Sequence, residues 1–377
     1  MPCGSPVSIP NEPVPAPAPL HTIRMIQTFT HFPHRSPPSR GEHTGDSYRA
    51  AVCERLDGPG ALQVQSLPRR RLSSGQVRVA IAAAGINFPD LLMTRGTYQY
   101  KPPLPFVPGM EAAGVVVETV ADVQSVAVGQ RVMINQVEGL FATEAVVSAE
   151  SLIPAPADFS PAESACLLVA ARTARHALVE RAQIRPGETL LVLGAGGGVG
   201  LAAVEIGRLL GAHVIAAASS EEKLQAAMKR GATSGINYSR EDLVTRAREL
   251  VPDGIDVIFD PVGGDMFEQA LRLPAWNGRL LIVGFASGRI GVAAANRPLI
   301  KGYSLIGVRA GEAARRDASV AERSAREIRE WTAVGHLRPL ISRTYPLQQA
   351  GLALEQLAIR RVVGRIALTV SDGWPVT

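Results

Sequence analysis

From Tyr48 to about Pro156, apolar residues come in short Val/Ile-rich runs broken by Gly and Pro: "GQVRVAIAAAG", "AAGVVVETV", "GQRVMIN" and "ATEAVVSAESLI". Such runs predict strands, and their succession predicts a compact, mostly antiparallel barrel. From about Ala171 the pattern changes. "ETLLVLGA" reads as a buried strand. In "GGVGLAAVEIGRLLGA" the positions Val199, Ala202, Ala203, Ile206, Leu209 and Leu210 share one helix face, and Gly211 ends the helix as a C-terminal cap. "HVIAAA" is the next strand. "SSEEKLQAAMKRGA" predicts a helix with a serine cap and glutamates in its first turn. "SRED", Ser239 to Asp242, predicts a capping-box start for another helix. "GIDVIFDPVG", "GRLLIVGF" and "YSLIGVR" add three strands. Repeated strand–helix units predict an α/β fold with a doubly wound parallel sheet covered on both faces. Glu312 to about Val334 reads as a single charged amphipathic helix, and the last stretch, ending "GRIALTV", as a strand returning to the first domain.

Length and composition sharpen this picture. The 377 residues allow two domains, and 46% hydrophobic residues supply ample core. The net charge of +5 is spread along the chain. The one short basic run, Arg69-Arg70-Arg71, reads as a solvated turn rather than an anion site, so nucleic acid is not an expected partner. Cys3, Cys53 and Cys166 are far apart, show no metal-ligand spacing and are odd in number, which fits a reducing compartment. No apolar run is long enough to span a membrane. Residues 1–46 are rich in Pro, Ser and His and carry no periodicity, so disorder is the expectation there. Arg24, Arg35 and Arg40 outnumber Glu12 and Glu42, as in a targeting peptide, but an upstream start codon or an added extension explains the segment equally well. The expected location is the cytoplasm, or the mitochondrion if this extension is a transit peptide.

The chemistry starts at "LVLGAGGGVG", Leu191 to Gly200. Aligned with G-x-G-x-x-G, Ala195 takes the first position. Gly197 then lets a pyrophosphate approach the backbone, and Gly200 lets helix and strand pack closely. Gly198 and Val199 open the helix, whose free N–H groups suit a phosphate. The turn follows a strand and opens a helix, the context that gives the motif its meaning. An NAD site usually has Asp or Glu about 20 residues later. Here the strand ends at Ser219 and Ser220, with Lys223 following. Hydroxyls and a cation favour the 2′-phosphate of NADPH, while a helix cap and a solvated lysine would explain the same residues.

The ordered set "AAGINFPD", "YQYKPPLPFVPGMEAAGVV", "AGGGVGLAAVEI", "ASSEEK", "GINYSREDL", "DPVGGD", "VGFASG" and "RVVGRI" resembles the zinc-free quinone oxidoreductase branch of the medium-chain dehydrogenase/reductase superfamily. The resemblance runs from about Tyr48 to Val370. It implies a GroES-like, mostly antiparallel β-barrel catalytic domain and a Rossmann nucleotide-binding domain. The expected division is an extension over 1–46, the catalytic domain over 47–170, the Rossmann domain over 171–310, a return to the catalytic domain over 311–372, and a tail over 373–377. Where zinc relatives carry Cys, His and Cys, this chain has Asn87, Met110 and Val169, beside a retained Glu111. An amide, a thioether and an isopropyl group do not make a zinc site of the usual kind, so no metal is expected.

The resemblance further implies NADPH as cofactor and reduction of a small quinone or related enone. Relatives that reduce enoyl thioesters, and others that bind NADPH without catalysis, give the alternatives. Asn87, Asp90 and Tyr98 are the expected catalytic set: Asn87 donates to the acceptor oxygen or holds loop backbone, Asp90 orients, and Tyr98 stacks on or hydrogen-bonds a flat substrate. Thr173, Gly197, Gly198, Val199, Gly200, Ser219, Lys223 and Tyr238 are expected to bind the cofactor. Val262, Gly263, Val283, Gly284 and Phe285 would line its nicotinamide half, and Arg309 joins them. Arg365 matches a basic residue of relatives, or is a solvated strand end. Leu92, Ala171 and Arg172 depart from the family pattern. Members of the family pair as homodimers along one sheet edge, expected here within "GRIGVAAANRPLIKGYSLIG".

Overall fold

The computed structural model describes residues 47–375, and the expectations for residues 1–46, with Cys3, lie outside that range. The chain opens with an antiparallel pair, β1 (Ser47–Cys53) and β2 (Leu62–Pro68). It continues through β3 (Gln76–Gly85), β4 (Glu111–Thr119), β5 (Arg131–Asn135), β6 (Glu144–Ser148) and β7 (Ile153–Pro154). Helix α1 (Phe88–Thr94) sits between β3 and β4, and α2 (Pro161–Ala165) and α3 (Leu168–Arg175) follow β7. The four predicted apolar runs all become strands, although "ATEAVVSAESLI" stops pairing at Ser148 and turns before Ile153.

The second half builds the expected doubly wound sheet. Its strands are β8 (Thr189–Leu193), β9 (His213–Ala218), β10 (Ser234–Asn237), β11 (Ile255–Asp260), β12 (Pro274–Ile282) and β13 (Ser304–Gly307), all parallel, in the order β10-β9-β8-β11-β12-β13. The helices are α4 (Gly198–Leu209), α5 (Glu221–Lys229), α6 (Leu243–Leu250), α7 (Gly264–Ala270) and α8 (Asn296–Lys301). Helix α4 is buried on nearly all sides from Gly200 to Gly207, not on one face only, because it packs between the sheet and α3.

Three local expectations are corrected. Helix α6 is capped by Asp242, whose carboxylate accepts from Thr245 N at 2.8 Å, rather than by Ser239. The Ser239 hydroxyl is engaged with Ser219 O at 3.0 Å, and Glu241 accepts from Asn237 N. The predicted single helix over 312–334 is two, α9 (Ala310–Arg316) and α10 (Ala318–Ala333). Asp317 breaks it by leaving helical geometry and accepting from Ser319 N, as a cap. Arg69 and Arg70 are not simply solvated, since Arg69 Nε donates to buried Glu144 at 2.8 Å and Arg70 reaches Val146 O.

The chain then returns as predicted. β14 (Ile341–Pro346), α11 (Ala350–Ala358) and β15 (Arg365–Thr369) close the fold. β15 pairs antiparallel with β3 and parallel with β14, completing a seven-stranded sheet. One buried cluster joins Met133 and Ile153 of the first sheet to Leu190 and Val192 of the second, through α3 and α4. Both sheets therefore rest on a shared core.

Candidate active site

The residues named for a cofactor fall just beyond the C-terminal ends of the parallel strands. The glycine turn follows β8, Ser219 follows β9, Tyr238 follows β10, Val262 follows β11, Val283, Gly284 and Phe285 follow β12, and Arg309 follows β13. The strand order reverses between β8 and β11, and a crevice at such a reversal is where open α/β sheets take ligands. The loops over it interlock. A methyl on Gly194 would meet Val262 Cγ2 at 2.9 Å, and one on Gly263 would meet Phe285 Cδ1 at 2.8 Å. Thr173 enters from α3 with its hydroxyl donating to Val169 O at 2.7 Å.

Within the turn the glycines have separate reasons. The tight left-handed bend is taken by Gly194 at φ 61°, which frees Ala195 to be an ordinary buried residue. A Cβ on Gly200 would lie 2.3 Å from Gly194 O, so close helix–strand packing excludes one. Gly197 differs. Its φ is −87°, and an added Cβ would meet nothing nearer than Gly194 O at 3.5 Å. Packing does not demand glycine there, whereas close approach of a ligand phosphate would.

Among the buried polar atoms that lack partners in the described residues are Arg365 Nε and Asp260 Oδ2, both beside the crevice. Arg365 runs along Gly198, where an added Cβ would lie 2.0 Å from its Cδ. Its Nε would lie 3.2 Å from that Cβ and so borders the turn where a phosphate would sit. Asp260 Oδ1 accepts from Val262 N at 2.8 Å and Gly263 N at 2.9 Å, while burial pushes its carboxyl up to about 6. The orphaned acceptor suits a ligand hydroxyl. The donor set thus fits a dinucleotide.

At the far end of β9 no acid appears. Lys223 Nζ donates to Ser219 Oγ at 3.3 Å and to Arg360 O at 2.6 Å. The Tyr238 hydroxyl bonds the same Ser219. Burial, helped by the Arg360 charge and opposed by the weaker pull of Glu222, lowers the Lys223 pKa. Arg360 was missed in the sequence, because it lies 137 positions after Lys223 and only the returning chain brings it here.

The other wall of the crevice centres on Glu111, which is 1% exposed. Its Oε1 accepts from Asn87 Nδ2 at 3.0 Å and pairs with Arg365 Nη2, and its Oε2 accepts from Val169 N at 2.9 Å. Arg365 is 7% exposed, so the alternative of a solvated strand end is excluded. Asn87 is fully committed: Oδ1 accepts from Arg365 Nη1 at 2.9 Å, and Nδ2 donates to Gly85 O and Glu111. Of the two expected roles, these contacts are those of an amide that holds loop and network together. Asp90 is 0% exposed, with Asn87 N and Gly109 N donating to its two oxygens, and burial pushes its carboxyl up to about 7. Its two backbone contacts tie the start of α1 to the loop at Gly109. Tyr98 is half-buried beside the Cys53, Met93 and Phe106 cluster, as is Met110, and its hydroxyl makes no hydrogen bond among the described residues. Arg309 carries the nearest cationic influence on Tyr98. Among the described residues no three His, Cys, Asp or Glu side chains are grouped to hold a metal ion.

Similarity to known proteins agrees with this architecture. Residues 73–157 match the alcohol dehydrogenase GroES-like domain, and residues 198–325 match the zinc-binding dehydrogenase family. Quinone oxidoreductase-like protein 2 of Rattus norvegicus is 38% identical over 88% of this chain and 94% of its own. The quinone oxidoreductase of Thermus thermophilus, solved also with NADPH, is 32% identical with a TM-score of 0.74, covering 85% of this chain and all of its own. That of Escherichia coli, complexed with NADPH, is 27% identical with a TM-score of 0.78 over 86% of this chain and 99% of its own. With a GroES-like domain, a Rossmann-type parallel sheet and these relatives, the chain belongs to the medium-chain dehydrogenase/reductase superfamily, in the group of quinone oxidoreductase-like protein 2.

Proposed function

We propose that the protein is an NADPH-dependent, zinc-independent reductase of quinones or related enones. The observation that carries the cofactor choice is the gathering of Ser219, Lys223, Tyr238 and Arg360 beyond β9 with no carboxylate among them. A 2′-phosphate would supply the missing negative charge. Relatives solved with NADPH support the same reading.

When bound, NADPH supplies two electrons and a hydrogen to the acceptor, which takes a second proton from solvent. The chain's own part is to bind and orient. The α4 N-terminus and Arg365 Nε would hold the pyrophosphate. Val262, Val283 and Phe285 would fix the nicotinamide, and Thr173 would face it from α3. Tyr98, with its free hydroxyl, would contact the acceptor. Asp90 and Asn87 hold the loop that carries this wall. The catalytic part is assigned to 47–170 and 311–372, the nucleotide-binding part to 171–310.

We also assign a homodimer. Edge strand β13 and its flanks expose Trp276 at 74%, Val292 at 73% and Leu299 at 81%. An apolar patch along an open sheet edge suits a second copy of the chain. The deciding experiment is NADPH oxidation by the purified protein across quinones, enones and enoyl thioesters. Turnover of a quinone or enone with NADPH preferred over NADH is the expected result. Binding of NADPH without oxidation by any acceptor would remove the enzyme reading.

A further inference from the structure

Arg172 is the departure from the family pattern that the mechanism does not use. It stands one turn after Val169 on α3 and so shares its helix face. Nη1 donates to Asn135 Oδ1 at 2.7 Å, and Asn135 Nδ2 donates to Met110 O at 2.9 Å. These contacts tie the guanidinium to the wall that carries Met110 and Tyr98. Its Nε is buried without a partner, and Nη2 makes no hydrogen bond among the described residues. The nearby carboxylate, Glu111, is already committed to Arg365, Asn87 and Val169 N. Asp90 is held toward its neutral form by burial. Glu138, further along the same loop, is likewise raised by burial and faces the Tyr100 hydroxyl at 3.5 Å. The half-buried Arg172 and the buried Arg365 thus share one committed anion. A buried guanidinium with an open donor edge is a ready partner for a carboxylate.

We propose that Arg172 is a specificity-determining residue that binds an anionic group on the acceptor, so that the preferred substrate is an enone or quinone bearing a carboxylate. This rests on the reductase reading above. The carboxylate would take the open Nε/Nη2 edge and leave the acceptor's flat part against Tyr98.

The test uses a matched pair, (E)-4-oxopent-2-enoate and its methyl ester, with NADPH and the full chain. The wild type is expected to show kcat/KM at least ~10-fold higher for the acid. Arg172→Gln is expected to lower the acid by at least ~10-fold and the ester by less than ~3-fold, with Arg172→Lys in between. Equal use of acid and ester by the wild type, or an equal loss on both in Arg172→Gln, would overturn the proposal. The first comparison needs no variant and survives a variant that fails to fold. A separate titration uses levulinate, a carboxylate that cannot be reduced at an alkene, followed by calorimetry with and without NADP. If neither acceptor is reduced, this titration decides, and the reductase reading is left to the wider acceptor screen. Levulinate bound by the wild type and at least ~10-fold more weakly by Arg172→Gln upholds the anion site. Equal binding, or none, overturns it.

Discussion

Gly197 and Gly200 lie three residues apart in one turn, and the structure gives them opposite reasons for being glycine. In Gly200→Ala the methyl carbon would sit 2.3 Å from Gly194 O and 2.8 Å from Ala195 Cα, both backbone atoms that cannot swing away. Overpacking of that kind costs about 1–3 kcal/mol. In Gly197→Ala the nearest atom is 3.5 Å away and φ is −87°, a value any residue adopts. The entropy removed from the unfolded chain stabilises by about 0.4–1 kcal/mol. The poorer helix cap offsets this by a similar amount, so the net change in stability is about zero. Ligand binding should respond differently. The methyl projects into the space left for a pyrophosphate, and loss of one charge-assisted hydrogen bond is worth roughly 1.5–3 kcal/mol. That is a loss of about 10- to 150-fold in NADPH affinity. Urea denaturation and a fluorescence titration of NADPH read the two quantities separately. A Gly197→Ala protein of native stability that binds NADPH like the wild type would refute the assignment of this turn to a pyrophosphate.

Lys223→Ala should weaken NADPH binding by ~10-fold or more and leave NADH binding within about twofold, because one charge-assisted contact to the 2′-phosphate is lost; equal loss for both coenzymes would count against the cluster. Asp90 has a folded pKa raised from 3.8 to about 7, so its contribution to stability is fully present below about pH 4 and lost as pH rises toward 7 and above. At about 1.4 kcal/mol per pH unit the upper bound is roughly 4 kcal/mol, and urea melts at pH 5, 6, 7 and 8 should show a slope that Asp90→Asn flattens. Leu299→Glu, at a site 81% exposed on the β13 flank, should convert a dimer to a monomer in light scattering without lowering the melting temperature. The Cys166 thiol, buried and pushed up to about 12, should resist thiol reagents in the native protein and react only on unfolding.

The doubly wound sheet was legible because its signals are local. Leu190, Val192, Ile215 and Val257 sit in apolar runs of strand length, each followed by a glycine- or serine-rich turn. Caps were harder, since Ser239 and Asp242 both suit the start of α6 and the choice depends on Ser219 O claiming the serine hydroxyl. Asp317 stood inside a continuous helical period, and nothing local marks it as a break. The glycine turn, Ser219 and Lys223 were readable from their spacing around β8, α4 and β9, and Tyr238 from the family resemblance. Arg360 and Arg365 were not, because their partners lie in other elements far back in the chain. Asn87 shows the same limit: the sequence left a donor role and a loop-holding role open, and only the fold reveals that Glu111 and Arg365 engage its amide.

The last strand has a consequence for how the protein is made. Arg365 pairs with Asn87 across 278 positions, and β15 closes onto the end of β3. Until β15 is made, Glu111 lacks its contact with Arg365, and Ala83 to Gly85 keep one edge unpaired. A nascent chain stopped before Gly364 would also lack the N–H that binds Gly196 O at 2.7 Å. This wall of the crevice can therefore close only once β15 is in place, because Glu111 and the edge of β3 take partners from that strand.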